Sequence, residues 1–156
     1  MPDFFPTTSN KVAAPPAAME AGVPPRVLVV EDDQAIRELT GLALTQRGYS
    51  VNLVENGEAA WEALQARVYD LMITDNTMPG MSGWELVIRI RSEDLPLPVI
   101  LASGTAPSME LANQQGLQLS AVLQKPFRVA ELLKAAEEAL RPTEAKRAAS
   151  ENNERS

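Results

Sequence analysis

Short apolar runs alternate with longer amphipathic segments along the middle of the chain. The apolar runs predict strands over residues 26–30, 51–54, 70–74, 98–102 and 121–124. The amphipathic segments predict helices over residues 34–47, 58–66, 82–91, 107–115 and 129–140. Crossover helices join parallel strands and cover both faces of their sheet. The alternation therefore predicts an α/β fold, a doubly wound five-stranded parallel sheet with helices on both faces.

Two of these helices have local signals. Ser82 and Glu85 have the spacing of a capping box at the start of the third helix. The first helix carries apolar residues at helical spacing, and the pattern predicts an inward face that includes Ile36, Leu39 and Leu44.

The two ends of the chain differ from the middle in composition. Residues 1–25 contain six prolines and five alanines without a helical or strand period, which predicts a disordered arm. Residues 142–156 are polar and of balanced charge, and we expect a disordered tail there. The folded domain is predicted at residues 26–141.

Composition excludes several kinds of chemistry. The chain has neither cysteine nor histidine, so it cannot form a disulfide or carry a phosphohistidine. Any metal would be bound by oxygen, which favours Mg²⁺, Ca²⁺ or Mn²⁺. A net charge of −7 argues against direct nucleic-acid binding. The sequence has no stretch that would insert into a membrane and no secretory signal, which predicts a cytoplasmic protein.

Charged and hydroxyl side chains follow four of the predicted strands. Glu31 and Asp32 follow the first strand, Asp75 the third, Ser103 the fourth and Lys125 the fifth. The carboxyl ends of parallel strands meet at one edge of a sheet, where ligands of open α/β sheets bind. These residues are therefore predicted to surround one pocket, and its acids suggest a divalent-cation site.

The same motifs resemble those of the receiver domain of two-component response regulators. They are Val-Val-Glu-Asp-Asp at residues 29–33, Asp75 with Met-Pro-Gly at 78–80, Ser-Gly at 103–104 and Lys-Pro-Phe at 125–127. The resemblance covers nearly all of residues 26–141. It implies a flavodoxin-like sheet with strand order 2-1-3-4-5.

The resemblance also implies a metal site and a phosphorylation site. Asp75 would accept a phosphoryl group from the phosphohistidine of a partner protein. Asp32, Asp75 and the backbone carbonyl of Thr77 would ligate Mg²⁺, or Mn²⁺ in its place, and Glu31 would act through a metal-bound water.

Further positions of the family follow from the resemblance. Lys125 and Ser103 would contact the phosphoryl oxygens and form the switch. Thr77 and Thr105 would tune the loss of phosphate. Val122 stands where receivers usually carry an aromatic ring that moves with the hydroxyl residue, so the usual route from the site to the partner surface is altered.

Each motif has a simpler interpretation. Asp33 is a good N-cap for the first helix, and three acids there could mark no more than a helix start. Asp75 could form an Asx-turn and Ser103 an ordinary turn, and Lys125 could be a solvated surface residue. Their occurrence together at four strand ends favours the functional interpretation.

The sequence thus predicts a stand-alone response regulator that acts as a phosphoacceptor switch and not as an enzyme. Its expected partners are a histidine kinase or a histidine phosphotransfer protein, and a downstream protein target. One alternative is an adaptor domain of the same fold that works without phosphorylation. Another is a hydrolase with its nucleophile in the first acidic cluster, which would require an acid where Gln34 stands.

Overall fold

The computed structural model describes residues 23–104 and 109–141. Residues 26–139 form one compact unit. The predicted arm up to residue 22, the tail from residue 142 and the start of the fourth predicted helix, with Thr105, lie outside the described residues.

Strands and helices alternate throughout the compact unit, as the sequence predicts. The elements in chain order are β1 (Arg26–Val30), α1 (Gln34–Gln46), β2 (Ser50–Val54), α2 (Gly57–Ala66), β3 (Leu71–Asp75), α3 (Gly83–Ser92), β4 (Val99–Ser103), α4 (Met109–Gln114), β5 (Ala121–Gln124) and α5 (Val129–Ala139). None of the helices within the described ranges has the length and apolar character needed to cross a bilayer.

The five strands form one parallel sheet in the order β2-β1-β3-β4-β5. This confirms the predicted fold class and strand order. The chain moves outward from β1 to β2 and then crosses back to β3 on the other side of β1. Because crossovers are right-handed, this reversal places helices on both faces. Accordingly α1 contacts α5, and α2 contacts α3.

The core consists of aliphatic side chains on the three central strands and on the inward faces of the helices. β3 and β4 are buried along their whole length, and β1 is buried after its first residue. Leu28, Met72 and Leu101 are fully buried in the same cluster as Leu86 and Ile90 of α3. The edge strands β2 and β5 are only partly covered. The central strands thus form the rigid support of the sheet's carboxyl edge.

Side-chain caps fix where two helices begin. The Asp33 carboxylate accepts a hydrogen bond from the Ile36 amide at 3.0 Å and caps α1, as predicted. Ser82 and Glu85 form the predicted capping box of α3, since each side chain accepts from the other residue's amide.

The predicted inward face of α1 is wrong at one position. Leu39 is 56% exposed, whereas Thr40, Gly41 and Leu44 are buried. A β-carbon at Gly41 would lie 2.9 Å from the side chain of Leu53 on β2, so the helix approaches that strand closely at the glycine. This approach turns the helix so that its buried stripe passes through residues 40 and 41 and leaves Leu39 outside.

Candidate functional site

The strand register brings the ends of β1 and β3 together. Val30 lies opposite Thr74. Glu31 and Asp75 are the next residues of the two strands, and both are buried, with 5% and 6% of their surfaces exposed. Two carboxylates thus lie side by side at the reversal point of the sheet, where α/β folds place their ligands.

The register of β4 and β5 adds the remaining predicted residues. Asp75 lies opposite Ala102, so Ser103 is the next residue of β4. Ser103 lies opposite Gln124, and Lys125 follows directly. The predicted neighbourhood of the four strand ends is therefore present.

Three carboxylates form a group suited to a cation. Glu31, Asp32 and Asp75 each offer an oxygen, and these oxygens lie within 4.8 Å of one another. Asp32 is exposed, while the other two are buried. An all-oxygen set with one side open to solvent fits Mg²⁺ or Mn²⁺, which bind few carboxylates and keep several waters.

The Lys125 ammonium lies between the two buried acids. Its Nζ is 2.9 Å from Glu31 Oε1 and 3.2 Å from Asp75 Oδ1. Burial lowers the pKa of Lys125, but the hydrogen bond to Glu31 and the charge of Asp75 outweigh burial and hold that pKa above its ordinary value. Lys125 is therefore a fixed positive charge at this edge of the sheet.

Hydrogen bonds to both its side chain and its backbone fix the position of Glu31. Its second carboxylate oxygen accepts from the Asp33 amide at 3.2 Å, and its carbonyl accepts from Arg37 at 2.8 Å. Burial raises the pKa of the Glu31 carboxyl, the hydrogen bonds from Lys125 and the Asp33 amide oppose that rise, and the charge of Asp75 adds to it. Like-charge repulsion between Glu31 and Asp75 would be relieved by a bound cation.

The connection from β3 to α3 contains a residue that the sequence interpretation missed. Asn76 donates its amide to the Ala102 carbonyl at 2.8 Å and accepts from the Gly83 amide at 3.0 Å. Its side-chain oxygen accepts from the Trp84 amide at 2.8 Å. An asparagine directly after a strand-ending aspartate is the signal in the sequence, and asparagine at such a place is equally typical of an ordinary loop.

Two depressions border the acids. One, of about 330 Å³, is lined by Asp32, Glu55, Asn56, Gly57, Glu58, Pro79 and Met81 and gives an open, acidic approach to Asp32. The other, of about 380 Å³, is an apolar groove between α1 and the start of α5, lined by Ile36, Leu39, Thr40, Lys125, Pro126, Phe127, Val129 and Leu132. Lys125 links this groove to the carboxylates.

Comparison with known families identifies the family to which this fold belongs. Residues 27–137 match the family model described as the response regulator receiver domain. The chain belongs to this family. The match includes the four strand ends on which the predicted resemblance rests.

Relatives of this receiver domain include longer regulatory proteins. The chain is 41% identical over 92 residues to the 3',5'-cyclic-nucleotide phosphodiesterase regA of Dictyostelium discoideum, covering 56% of the chain and 12% of that protein. It is 33% identical over 108 residues to the transcriptional regulatory protein DltR of Streptococcus agalactiae, covering 69% of the chain and 48% of DltR. The chain thus spans at most about half the length of these curated relatives.

Solved structures agree with the fold of this receiver domain. The chemotaxis response regulator CheY4 of Vibrio cholerae is 27% identical with a TM-score of 0.68, covering 76% of this chain and all of CheY4 (100%). The response regulator TrrA of Thermotoga maritima, solved in complex with Mg²⁺–BeF, is 34% identical with a TM-score of 0.65. That alignment covers 74% of this chain and 99% of TrrA.

The other predicted positions of this receiver domain differ in their surroundings. Ser103 is fully buried and Thr77 is exposed. Val122 is half-buried and packs against the core cluster. Thr105 lies outside the described residues.

Proposed function

We propose that this receiver domain accepts a phosphoryl group on Asp75 and thereby switches its binding to partner proteins or passes the group on. The observation that carries the proposal is the arrangement of one ammonium and three carboxylates at a single sheet edge. Lys125 Nζ lies 3.2 Å from Asp75, and the oxygens of the three acids lie within 4.8 Å of one another. The domain would act as a phosphoacceptor rather than as a classical enzyme.

In the transfer step, an Asp75 carboxylate oxygen attacks the phosphorus of a donor phosphohistidine. The P–N bond breaks, its electron pair stays on the imidazole nitrogen, and the nitrogen takes up a proton. Such a step depends on positioning and on neutralisation of charge more than on acid–base catalysis. Lys125 supplies a point charge on a flexible stem, which suits it to a phosphoryl oxygen.

Asp32, Asp75 and the Thr77 carbonyl would hold Mg²⁺, or Mn²⁺, and Glu31 would act through a water. The ion supplies charge neutralisation at the transferred phosphoryl group. The all-oxygen composition of the cluster and the Mg²⁺–BeF complex of TrrA support this assignment.

Phosphorylation would change the ion pairs that Lys125 makes. The phosphoryl group carries about −1.5 to −2 charges at neutral pH, which take the place of the single charge of the Asp75 carboxylate, and it brings several acceptor oxygens. Lys125 now divides its bonds between Glu31 and Asp75, and it would turn to the phosphoryl oxygens together with Ser103. Thr77 and Thr105 would control how quickly water reaches the phosphoryl group. Since Val122 replaces the usual ring, the switch would reach its partners without an aromatic rotation.

The donor would be a histidine kinase or a histidine phosphotransfer protein. The apolar groove beside Lys125 offers a contact surface next to the acceptor, and Leu39 of α1 lines it. Leu39 and Leu42, three residues further along α1, each expose 56% of their surfaces. Replacing both leucines by serine should slow phosphorylation by a protein donor and leave phosphorylation by acetyl phosphate unchanged. Equal rates with the protein donor for both forms would exclude this surface.

The downstream target would be a protein. The net charge of the whole chain is −7, which disfavours direct binding to nucleic acid. We place the domain in the cytoplasm without membrane insertion, in keeping with the proposed histidine donor.

Intact mass spectrometry tests the proposal. Wild type incubated with acetyl phosphate and Mg²⁺ should gain one phosphoryl group, and it should gain none without Mg²⁺. Asp75→Asn should gain none under either condition. A folded wild-type protein that takes no phosphoryl group from acetyl phosphate or from its histidine donor would support the phosphorylation-independent adaptor instead.

A further inference from the structure

Asn76, directly after the proposed phosphoacceptor, makes three hydrogen bonds that reach two different elements, β4 and α3. Its amide bonds to β4 through the Ala102 carbonyl at 2.8 Å. Its carbonyl and its side-chain oxygen bond to the first two amides of α3, on Gly83 at 3.0 Å and Trp84 at 2.8 Å. One residue therefore ties the end of β3 both to the strand that carries Ser103 and to the start of α3.

These bonds complete the N-terminus of α3. The first amides of a helix have no partner within the helix. Asn76 accepts hydrogen bonds from the amides of Gly83 and Trp84. The Ser82 hydroxyl accepts from the amide of Glu85 at 3.1 Å. Two side chains thus cap the helix, Asn76 and Ser82, and only Asn76 is adjacent to Asp75 in the sequence.

Close packing holds Asn76 in this position. A β-carbon on Gly83 would collide with the Asp75 carbonyl oxygen, and it would lie 3.0 Å from Asn76 Cα. Only glycine lets the start of α3 reach the backbone of residues 75 and 76. The loop of residues 77–82 is therefore anchored at both ends by contacts of the same residue.

We infer that Asn76 is a positioning residue for the metal site, and that its side-chain oxygen sets the place of the Thr77 carbonyl. This inference rests on the proposed function, which assigns that carbonyl to Mg²⁺. Asn76 lies between Asp75 and Thr77, so a shift of its backbone moves two proposed ligands at once. Mg²⁺ requires near-octahedral geometry, whereas Ca²⁺ accepts longer and more variable bonds. Loss of the Asn76 side-chain bond should therefore weaken Mg²⁺ binding more than Ca²⁺ binding.

Calorimetric titration with MgCl₂ and with CaCl₂ tests the inference on wild type, Asn76→Ala and Ser82→Ala. Ser82→Ala is the matched control, because it removes the other side-chain cap from the same helix end. Asn76→Ala should raise the Kd for Mg²⁺ about tenfold, as the loss of residues that orient metal ligands does elsewhere. Its Kd for Ca²⁺ should change by less than about twofold, given the wider tolerance of that ion. Ser82→Ala should leave both values near those of wild type.

Two further variants strengthen the test. Asn76→Asp keeps an acceptor oxygen at the same distance, so it should restore Mg²⁺ binding, and titration at two salt concentrations separates the bond from the added charge. Asn76→Ser, whose hydroxyl is too short to reach the Trp84 amide, replaces the alanine variant if the latter does not fold.

Three results would overturn the inference. They are an unchanged Kd for Mg²⁺ in Asn76→Ala, an equal loss for both ions, and a loss in Ser82→Ala as large as that in Asn76→Ala. If wild type binds neither ion, the proposed metal site falls and takes the inference with it. If wild type binds Mg²⁺ but the variants give one of these three results, the inference about Asn76 is wrong and the proposed metal site stands.

Discussion

Asp70 and Asp75 are the same residue type at opposite ends of one strand, and their surroundings differ. Asp70 precedes β3 at the amino edge of the sheet, where its carboxylate accepts a hydrogen bond from the Arg26 amide at 2.7 Å. Asp75 ends β3 at the carboxyl edge, where it is 6% exposed and lies 3.2 Å from the Lys125 ammonium. Asp75 also belongs to the three-carboxylate group, and Asp70 does not.

The difference shows that a carboxylate's position in the sheet, and not its residue type, decides which charged groups surround it. At the carboxyl edge, β1 and β3 diverge to their crossover helices and leave a space that several side chains share. At the amino edge, the backbone amide of Arg26 donates to the Asp70 carboxylate, and we expect Asp70 to contribute to stability alone. Each of the following variants tests this contrast.

The largest contrast is expected between Asp75→Asn and Asp70→Asn. Asp75→Asn should abolish phosphorylation by acetyl phosphate, since it removes the attacking oxygen. Asp70→Asn should be phosphorylated like wild type and lose only about 1 kcal/mol of unfolding free energy, because the amide oxygen still accepts from Arg26. Mass spectra and urea denaturation measure the two effects. Loss of phosphorylation in both variants would contradict the contrast.

Lys125→Ala should have the next largest effect. Phosphorylation by acetyl phosphate should slow about a hundredfold, because a donor to the developing charge is lost. Mg²⁺ should bind no more weakly than in wild type, because the ammonium competes with a cation for Glu31 and Asp75. Lys134→Ala on the exposed part of α5 is the matched control and should change neither value. Weaker Mg²⁺ binding in Lys125→Ala would show that the lysine assembles the acids instead of competing for them.

Asp32 and Asp33 are adjacent acids with different expected roles. Mg²⁺ at a hundred times its Kd should stabilise wild type by about 2.7 kcal/mol. Asp32→Asn should lose most of this stabilisation. Asp33→Asn should keep it, since Asp33 caps α1 and asparagine is an equally good N-cap. Thermal unfolding with and without MgCl₂ measures the stabilisation of each variant by the ion. If Asp33→Asn lost the stabilisation and Asp32→Asn kept it, Asp33 and not Asp32 would be the metal ligand.

Ser103→Ala should have the smallest effect on the chemistry itself. Phosphorylation of Asp75 should persist, while the phosphorylation-induced change in amide exchange over residues 99–104 and 121–125 should fall to about half. Ser120→Ala, at an exposed position just before β5, is the control and should behave like wild type. An unchanged response in Ser103→Ala would mean that Lys125 alone carries the switch.

Much of the fold was predictable because apolar runs and helix caps are local signals. The strand order followed from the family resemblance, and β1 and β5 have the predicted bounds. β3 is shifted by one residue from its predicted bounds, because Asp75 pairs with Ala102 and so belongs to the strand. The predicted inward position of Leu39 was wrong, since the close approach at Gly41 depends on how two elements meet.

The gathering of the acids, Ser103 and Lys125 at one edge was predictable from their places at strand ends. The pairing of Lys125 with Glu31 at 2.9 Å was not, since it depends on side-chain conformations across 94 residues of sequence. The role of Asn76 was also missed. Its side chain caps a helix that begins seven residues later, and the path of the loop between them is not encoded in a local pattern.

The most direct test identifies the residue that carries the phosphoryl group. Wild type would be phosphorylated with acetyl phosphate and Mg²⁺, treated with borohydride to reduce the acyl phosphate to homoserine, digested and sequenced by mass spectrometry. Our account predicts homoserine at position 75 and intact aspartates at positions 32 and 70. Homoserine at position 32 would instead place the nucleophile in the first acidic cluster, as in a hydrolase, and would contradict the assignment of Asp75.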